Sequence, residues 1–350
     1  MANTANHHYV PQFYLRYFSQ DGKSICVLNR KNGSAVESAP IKGQASRNYF
    51  YGDAEIEQML CEMEGLFSSA LRQIRTNLCF EKCTPENYAL LIQHIALQRY
   101  RTMKDRRSSK PMDDKHAQLY AESMVHNSGH LLTEEKKALF LDNIQGVEAE
   151  PKKWQGMRMM TAIENAESFC DLFPVILQNK TNRPFIFGDA PVVFVNPHLN
   201  KVTSRGVLGA QAQGLIIFYP IGTKHCIMLI DEKKYQIKKL HGTVMAIRNL
   251  KDLAVLNKLQ IHNAFSSIYF SDIQYSEYVK HLWTQEKKNL IELEFKVTEI
   301  PEFDNKGELT SYLIHSFEPQ LPFIPKLSFL DYQELPEKDY KFNRRVSTYQ

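Results

Sequence analysis

Apolar residues recur at three- and four-residue steps through the first half of the chain and in short unbroken runs through the second. Over residues 53–76, Ile56, Met59, Leu60, Met63, Phe67, Leu71 and Ile74 share a face, which predicts a long helix with Asp53 as its N-cap. A second helix is predicted from Thr84-Pro85, a capping residue followed by proline in the first turn. It turns Leu90, Leu91, Ile95 and Leu97 toward a core. Further helices are read over 114–124, 134–144 and 153–169. Ahead of them, 24–29 and 47–51 read as short strands around the turn cluster "NRKNGS".

The pattern changes at Phe173. "FPVIL", "FIFGD", "VVFVNP", "LIIFYPI" and "CIMLI" are short apolar runs bounded by Gly, Pro and Asn, and they read as strands. Residues 250–265 form a predicted helix with Leu253, Leu256, Leu259 and Ile261 apolar, and 275–287 another. "IELEFKV" reads as one more strand, and beyond Pro301 a proline-rich, charged tail predicts loop or peripheral wrap. No internal repeat and no heptad array interrupts this order.

The predicted class is α+β: a mixed β-sheet with a helical layer inserted between an N-terminal strand and motif segment and the main sheet. The divisions are 1–52, the motif and short strands; 53–170, helical; 171–300, α+β and packed with the first two as one composite domain; and 301–350, the tail. The N-terminal segment is expected to dock onto a mixed sheet built from 173–230.

Composition adds limits. With 350 residues, 43% of them hydrophobic and 23% charged, the chain is an ordinary globular one with a real core. Forty-three basic residues against 39 acidic ones leave a charge of +4. A pI of 8.5 lies below the value of about 9 typical of a basic nucleic-acid domain, so a phosphate partner requires a local basic cluster. Cys26, Cys61, Cys79, Cys83, Cys170 and Cys226 form no C-x-x-C, and most lie in apolar runs. They read as reduced, buried residues. His126 and His130 have metal-ligand spacing on a helix, but the intervening Ser-Gly weakens that helix and no cysteine pair completes a zinc set. No metal and no cofactor is therefore expected. The first residues lack a charged start with an apolar run, and no stretch approaches the roughly 18 apolar residues of a membrane span. The expectation is a cytoplasmic protein with no membrane partner; the oligomeric state is left open.

The densest motif comes first. "HHYVPQFYLRYF" packs His8, Val10, Pro11, Leu15, Arg16 and Phe18 into a terminus, where chains usually fray, which predicts an anchored segment. These residues resemble the opening His-x-Val-Pro-x-x-x-Leu-Arg-x-Phe of a family catalogued as domain of unknown function 4238. The likeness continues in "YGDAEIEQMLCEMEG", which contains Glu64, and in "IALQRYRT", with Gln98 and Arg101. It extends through "FIFGDAPVV", where Gly188 replaces the more usual serine, "IIFYPIGTKHCIML" and "LNKLQIHNAF". The resemblance covers about 8–270 and implies no established activity; some members look like components of bacterial antiviral defence.

Candidate chemistry gathers on these motifs. Asp189 ends a predicted strand before Pro191, and reads either as a catalytic carboxylate or as a turn cap. His8 is an acid, base or phosphate ligand, or else a hydrogen-bonded structural histidine. Arg16 is a phosphate ligand or a partner for a carboxylate such as Glu64. Gln98 and Arg101, three apart, share a helix face. Arg101 adjoins Lys104, Arg106, Arg107 and Lys110, a run that grips phosphate or is simply solvated. Tyr100 and Trp283 stack bases or belong to the core.

No Walker loop, nucleophile elbow or dinucleotide fingerprint is present. Glu294 and Lys296 in "ELEFK" supply only half of a metal-nuclease signature. Hydrolysis of an N-glycosidic bond needs one carboxylate with cationic and amide groups. Asp189, His8 and Gln98 as catalytic groups, with Arg16, Arg101, Lys104, Arg106 and Arg107 on phosphate, match that inventory better. The reading is a hydrolase of nucleic acid or nucleotides, N-glycosidase-like, with an antiviral setting. Its alternatives are a non-catalytic nucleic-acid or partner-binding module and a metal-dependent nuclease. It requires His8 and Asp189 to converge.

Overall fold

The computed structural model describes residues 5–52, 54–290, 294–303, 309–341 and 343–345. The chain opens with β1 (Asn6–His8), the short α1 (Gln12–Arg16), β2 (Ser24–Asn29), β3 (Ala35–Pro40) and β4 (Ser46–Asn48). A helical stretch follows: α2 (Ala54–Asn77), α3 (Pro85–Tyr100), α4 (Met103–Ser108), α5 (Lys110–His126), α6 (Glu134–Asp142) and α7 (Pro151–Glu164). Then come β5 (Phe173–Asn179), β6 (Phe187–Gly188), β7 (Val193–Val195), β8 (Ile216–Gly222), β9 (His225–Ile230), β10 (Tyr235–Ile237) and β11 (Val244–Ile247). The chain continues with α8 (Leu250–Asn263), β12 (Ser267–Phe270), α9 (Ser276–Glu286), β13 (Lys296–Phe303), β14 (Leu309–Phe317) and β15 (Leu330–Tyr332). The fold is α+β.

The main sheet has the order β11-β5-β9-β8-β7, with β11 parallel to β5 and the other pairs antiparallel. Every residue of β8 is buried, and so is every residue of β9 after His225. Burial on both faces explains why these strands read as continuous apolar runs without alternation. A second, antiparallel sheet runs β3-β2-β12-β6. One core cluster joins Val10, Leu15, Phe67, Ile95, Ile176 and Leu229, so the N-terminal segment, helices and main sheet share an interior.

The N-terminal segment docks differently from the sequence expectation. β2 pairs with β12, outside 173–230. The motif helix α1 does reach the main sheet through side chains: Tyr14 stacks on Tyr219 at 5.0 Å and donates to the Pro220 carbonyl at 2.5 Å. The tail also differs. Lys296–Phe303 and Leu309–Phe317 pair as the antiparallel strands of the β13–β14 hairpin instead of forming loop, with Pro301 opposite Tyr312. Both strands of an isolated hairpin are edges, and an edge tolerates a residue with no N–H to give.

α3 starts as expected, with Thr84 Oγ1 accepting from the Asn87 amide at 3.3 Å; Asp53 lies outside the described residues. Cys26 and Cys226 are buried, but Cys61 is exposed and Cys79, Cys83 and Cys170 are half-buried. Cys61 sits on an outward turn of α2, which the apolar stripe alone does not reveal. Among the described residues no helix is long and apolar enough to cross a membrane.

α8 carries a ladder of amides at three-residue spacing, and this positions much of the site. Asn257 accepts from the Ile186 amide and donates to the Pro184 carbonyl. Gln260 accepts from Gly188 and donates to Pro191. Asn263 donates to the carbonyls of Ala190 and Val192. The irregular segment 184–192 thus has its backbone satisfied by side chains where no strand pairs with it. Gly188 is required here because a Cβ would lie 2.7 Å from that of Ala264.

Candidate functional site

α3 and α4 meet at Arg101 and Thr102, and two buried polar clusters hang from this junction. The first clasps the N-terminal motif. Gln98 donates from Nε2 to the Tyr9 carbonyl at 2.9 Å, and Arg101 donates from Nη2 to the His8 carbonyl at 2.7 Å. The two side chains do share a helix face, and they grip consecutive peptide groups. Arg101 also reaches Glu64 at 2.8 Å and the Tyr51 hydroxyl at 3.2 Å, although only 1% of it is exposed. Its Nη1, the Gln98 Oε1 and the Glu57 Oε2 are buried without a hydrogen-bond partner. Burial pushes the Glu57 carboxyl up to about 7, against the pull of Arg101.

His8 itself faces away from this cluster, with Nε2 3.1 Å from the Lys42 carbonyl. Burial lowers its pKa, so the neutral ring is favoured. Arg16 is exposed and bonded to Gln12; the partner of Glu64 is Arg101.

Asp189 is buried, and both its oxygens are occupied. Oδ1 accepts from the Phe265 amide at 2.7 Å, and Oδ2 from the Ser266 amide at 3.0 Å and its hydroxyl at 2.7 Å. This carboxylate closes the turn between α8 and β12. Tyr9 comes closest to linking the two motifs: Gln98 holds its carbonyl, and its phenol is raised in pKa first by burial and then by the charge of Asp189. Among the described residues the hydrogen bonds of the His8 and Asp189 side chains share no partner.

The second cluster lines a cavity of about 270 Å³ between α3–α4 and the base of the β13–β14 hairpin. Lys104 is buried there and donates from Nζ to Asn263 Oδ1 at 2.6 Å and to Glu318 Oε1 at 2.7 Å. Glu318 also pairs with Arg99, whose guanidinium lies 4.7 Å from the centre of the Phe194 ring. Burial lowers the pKa of Lys104 well below its ordinary value, and the Arg99 charge lowers it further. Phe194, Phe295, Phe317 and Tyr100 form the aromatic part of the wall. A carboxylate, two basic side chains and flat apolar surface therefore converge in one concave place, with Asn263 holding Lys104 from behind, the arrangement expected of a small-molecule site.

The rest of the basic run does not form a phosphate grip. Arg106 stacks on Phe50 at 3.6 Å and donates to Gln155 at 2.7 Å, and Lys110 pairs with Asp114 at 2.7 Å. Arg107 is exposed. Lys104 is buried while Arg107, three residues on and near the same face, is exposed, so what packs against each turn of α4, and not helical periodicity, decides which cation goes inward.

A family model described as "Protein of unknown function (DUF4238)" matches residues 6–274. The chain belongs to that family. No curated protein and no solved structure matches it. The family span contains the whole Arg101 clasp and the α8 amide ladder, together with Arg99, Lys104 and Asn263. Glu318, Phe295 and Phe317 lie beyond it, so the cavity is completed by a C-terminal hairpin outside the family match.

Among the described residues, no three His, Cys, Asp or Glu side chains converge as a metal-ligating group. His126 ends α5 and His130 lies in the following turn, both exposed. Glu294 and Lys296 are exposed too. Trp283 is buried and donates to the Arg30 carbonyl, a core role; Tyr100 lines the cavity. Sequence reasoning missed Glu318 and Asn263 as partners of Lys104. Asn263 carried a weak signal, as the last polar residue at three-residue spacing in α8. Glu318 carried none, since its partners lie more than 200 residues away.

Proposed function

We propose that the protein is a hydrolytic enzyme acting on a nucleotide or nucleic-acid substrate, N-glycosidase-like, and that its site is the cavity beneath α3–α4. The observation that supports this is Glu318, a half-buried carboxylate held by Arg99 and Lys104 on an aromatic wall. Hydrolysis at a C1′–N bond develops positive charge on the sugar, and an ionised carboxylate offsets it. Arg99 and Lys104 hold the Glu318 carboxyl at rest. A substrate phosphate arriving at Arg99 and Lys104 takes over their donors and releases the carboxylate toward water. Water then adds to C1′ and gives a proton to Glu318, while the base leaves with the C1′–N electron pair; that proton passes from Glu318 to the departing base, directly or through water, and restores the carboxylate. The catalytic carboxylate is thereby moved from Asp189, whose oxygens are occupied, to Glu318. The family resemblance suggests antiviral defence as the setting.

Mass spectrometry of nucleotides and oligonucleotides incubated with the protein tests the reading. The expected result is a released base, lost in the Glu318→Gln variant. Cut strands silenced by EDTA would instead favour the metal nuclease. Salt-sensitive binding with unchanged ligand mass would favour the binding module, which the inward turn of Lys104 and Arg106 does not support.

A further inference from the structure

Beside the Lys104 cavity lies a larger one, of about 490 Å³, between α5 and α7. The two share Tyr100, Phe295 and Ser316 as walls. The character of the second is different. His116 and Trp154 stack there with ring centroids 5.5 Å apart and planes 25° from parallel. Met112 and Phe169 complete a mostly apolar lining.

Charge in this cavity is already spent. Arg158 on its wall is bound to Asp105 at 2.9 Å and to Asp113 at 2.5 Å. What remains uncommitted is neutral and polar. The hydroxyls of Ser168 and Ser316 are buried, line the cavity and have no hydrogen-bond partner. A buried hydroxyl left unpaired costs free energy that a ligand group can recover. Flat aromatic walls with two free hydroxyls suit an uncharged planar ring bearing donors and acceptors on its edge.

We infer that this second cavity receives the base of a nucleotide whose phosphate lies at Arg99 and Lys104. The base stacks near Trp154 and His116, and Ser168 and Ser316 bond its edge. Ser316 and Tyr100, common to both cavities, border the sugar. The inference rests on the proposed function for the phosphate end, and the two ends are separable by their probes.

Adenosine and uridine probe the ring cavity alone, and ribose 5-phosphate probes the cation cavity alone. Nucleosides are expected to change the fluorescence of the native protein and to lose that effect in Trp154→Phe. Calorimetry is expected to show nucleoside affinity about 5- to 100-fold weaker in Trp154→Ala, from the usual worth of one stacked base. Ser316→Ala, which keeps the stack, is expected to change the ratio of adenosine to uridine affinity. Ribose 5-phosphate bound normally with no nucleoside binding would overturn the ring site and leave the phosphate reading intact. Nucleoside binding without ribose 5-phosphate binding would support the ring site and remove the phosphate reading. Nucleoside affinity unchanged in Trp154→Ala, or no binding of either probe, would overturn the inference. Circular dichroism of each variant separates misfolding from lost contact, and Trp154→Phe preserves an aromatic face should the alanine variant fail to fold.

Discussion

Arg101 and Lys104 are buried cations three residues apart, and their surroundings give them opposite characters. Arg101 is surrounded by groups that belong to the fold: it donates to the His8 carbonyl and to the Tyr51 hydroxyl, which in turn bonds the Arg101 carbonyl, and Glu64 supplies the charge. Lys104 faces a cavity, and its carboxylate partner comes from a hairpin beyond the family match. Burial of a cation therefore does not by itself distinguish a structural bolt from a binding group. The distinction lies in what completes the hydrogen-bond set: main chain in one case, a concave surface in the other.

Substitutions can break that comparison. The largest effect is expected for Arg101→Ala, which strips half-buried Glu64 of its cation, empties a buried site and leaves the His8 carbonyl only the Tyr51 hydroxyl. A loss of about 2–4 kcal/mol is expected, read by urea unfolding. A loss below about 1 kcal/mol would end the structural reading of Arg101. Glu318→Gln comes next and should act on chemistry. Turnover falls by about 100-fold or more, while Tm shifts far less than in Arg101→Ala. Turnover within a factor of two of the native protein would place the chemistry elsewhere.

Asp189→Asn sharpens the same contrast from the other side. An amide nitrogen in place of either oxygen would face two donors, so stability is expected to drop by about 1–3 kcal/mol. Full stability joined to lost activity would return Asp189 to the mechanism. The smallest effect is expected for Glu57→Gln. Folding raises this carboxyl from 4.5 to about 7, so the native state holds its proton more tightly and loses relative stability as pH climbs through that window. Glu57→Gln should raise Tm by a few degrees at pH 8 and by less at pH 5, measured by calorimetry. An equal change at both pH values would disprove the titration.

Much of the frame was legible because it is written in local pattern. The cap at Thr84, the apolar stripe of α2 and the unbroken runs of β5, β8 and β9 follow from neighbours a few residues apart. Gln98 and Arg101 could be placed on one face for the same reason. The role of Asp189 was not legible, because a carboxylate before proline looks the same whether its oxygens are open or occupied. The basic run misled similarly: its composition suggested a surface, but α4 turns Lys104 inward and Arg107 outward.

Apolar periodicity and the ordered resemblance along the chain were enough by themselves to point to an α+β protein of this family with an anchored segment from Asn6 onward. Those properties depend on short-range geometry and on the need to bury apolar area. Tertiary structure alone decided that β2 pairs with β12 and that the tail folds into a hairpin. It alone placed Glu318 on Lys104 and Arg99, and put Trp154 and His116 beside them. Each of these joins groups far apart in sequence. The desolvation and hydrogen bonding that give a side chain its chemistry come from such neighbours, which no local pattern encodes.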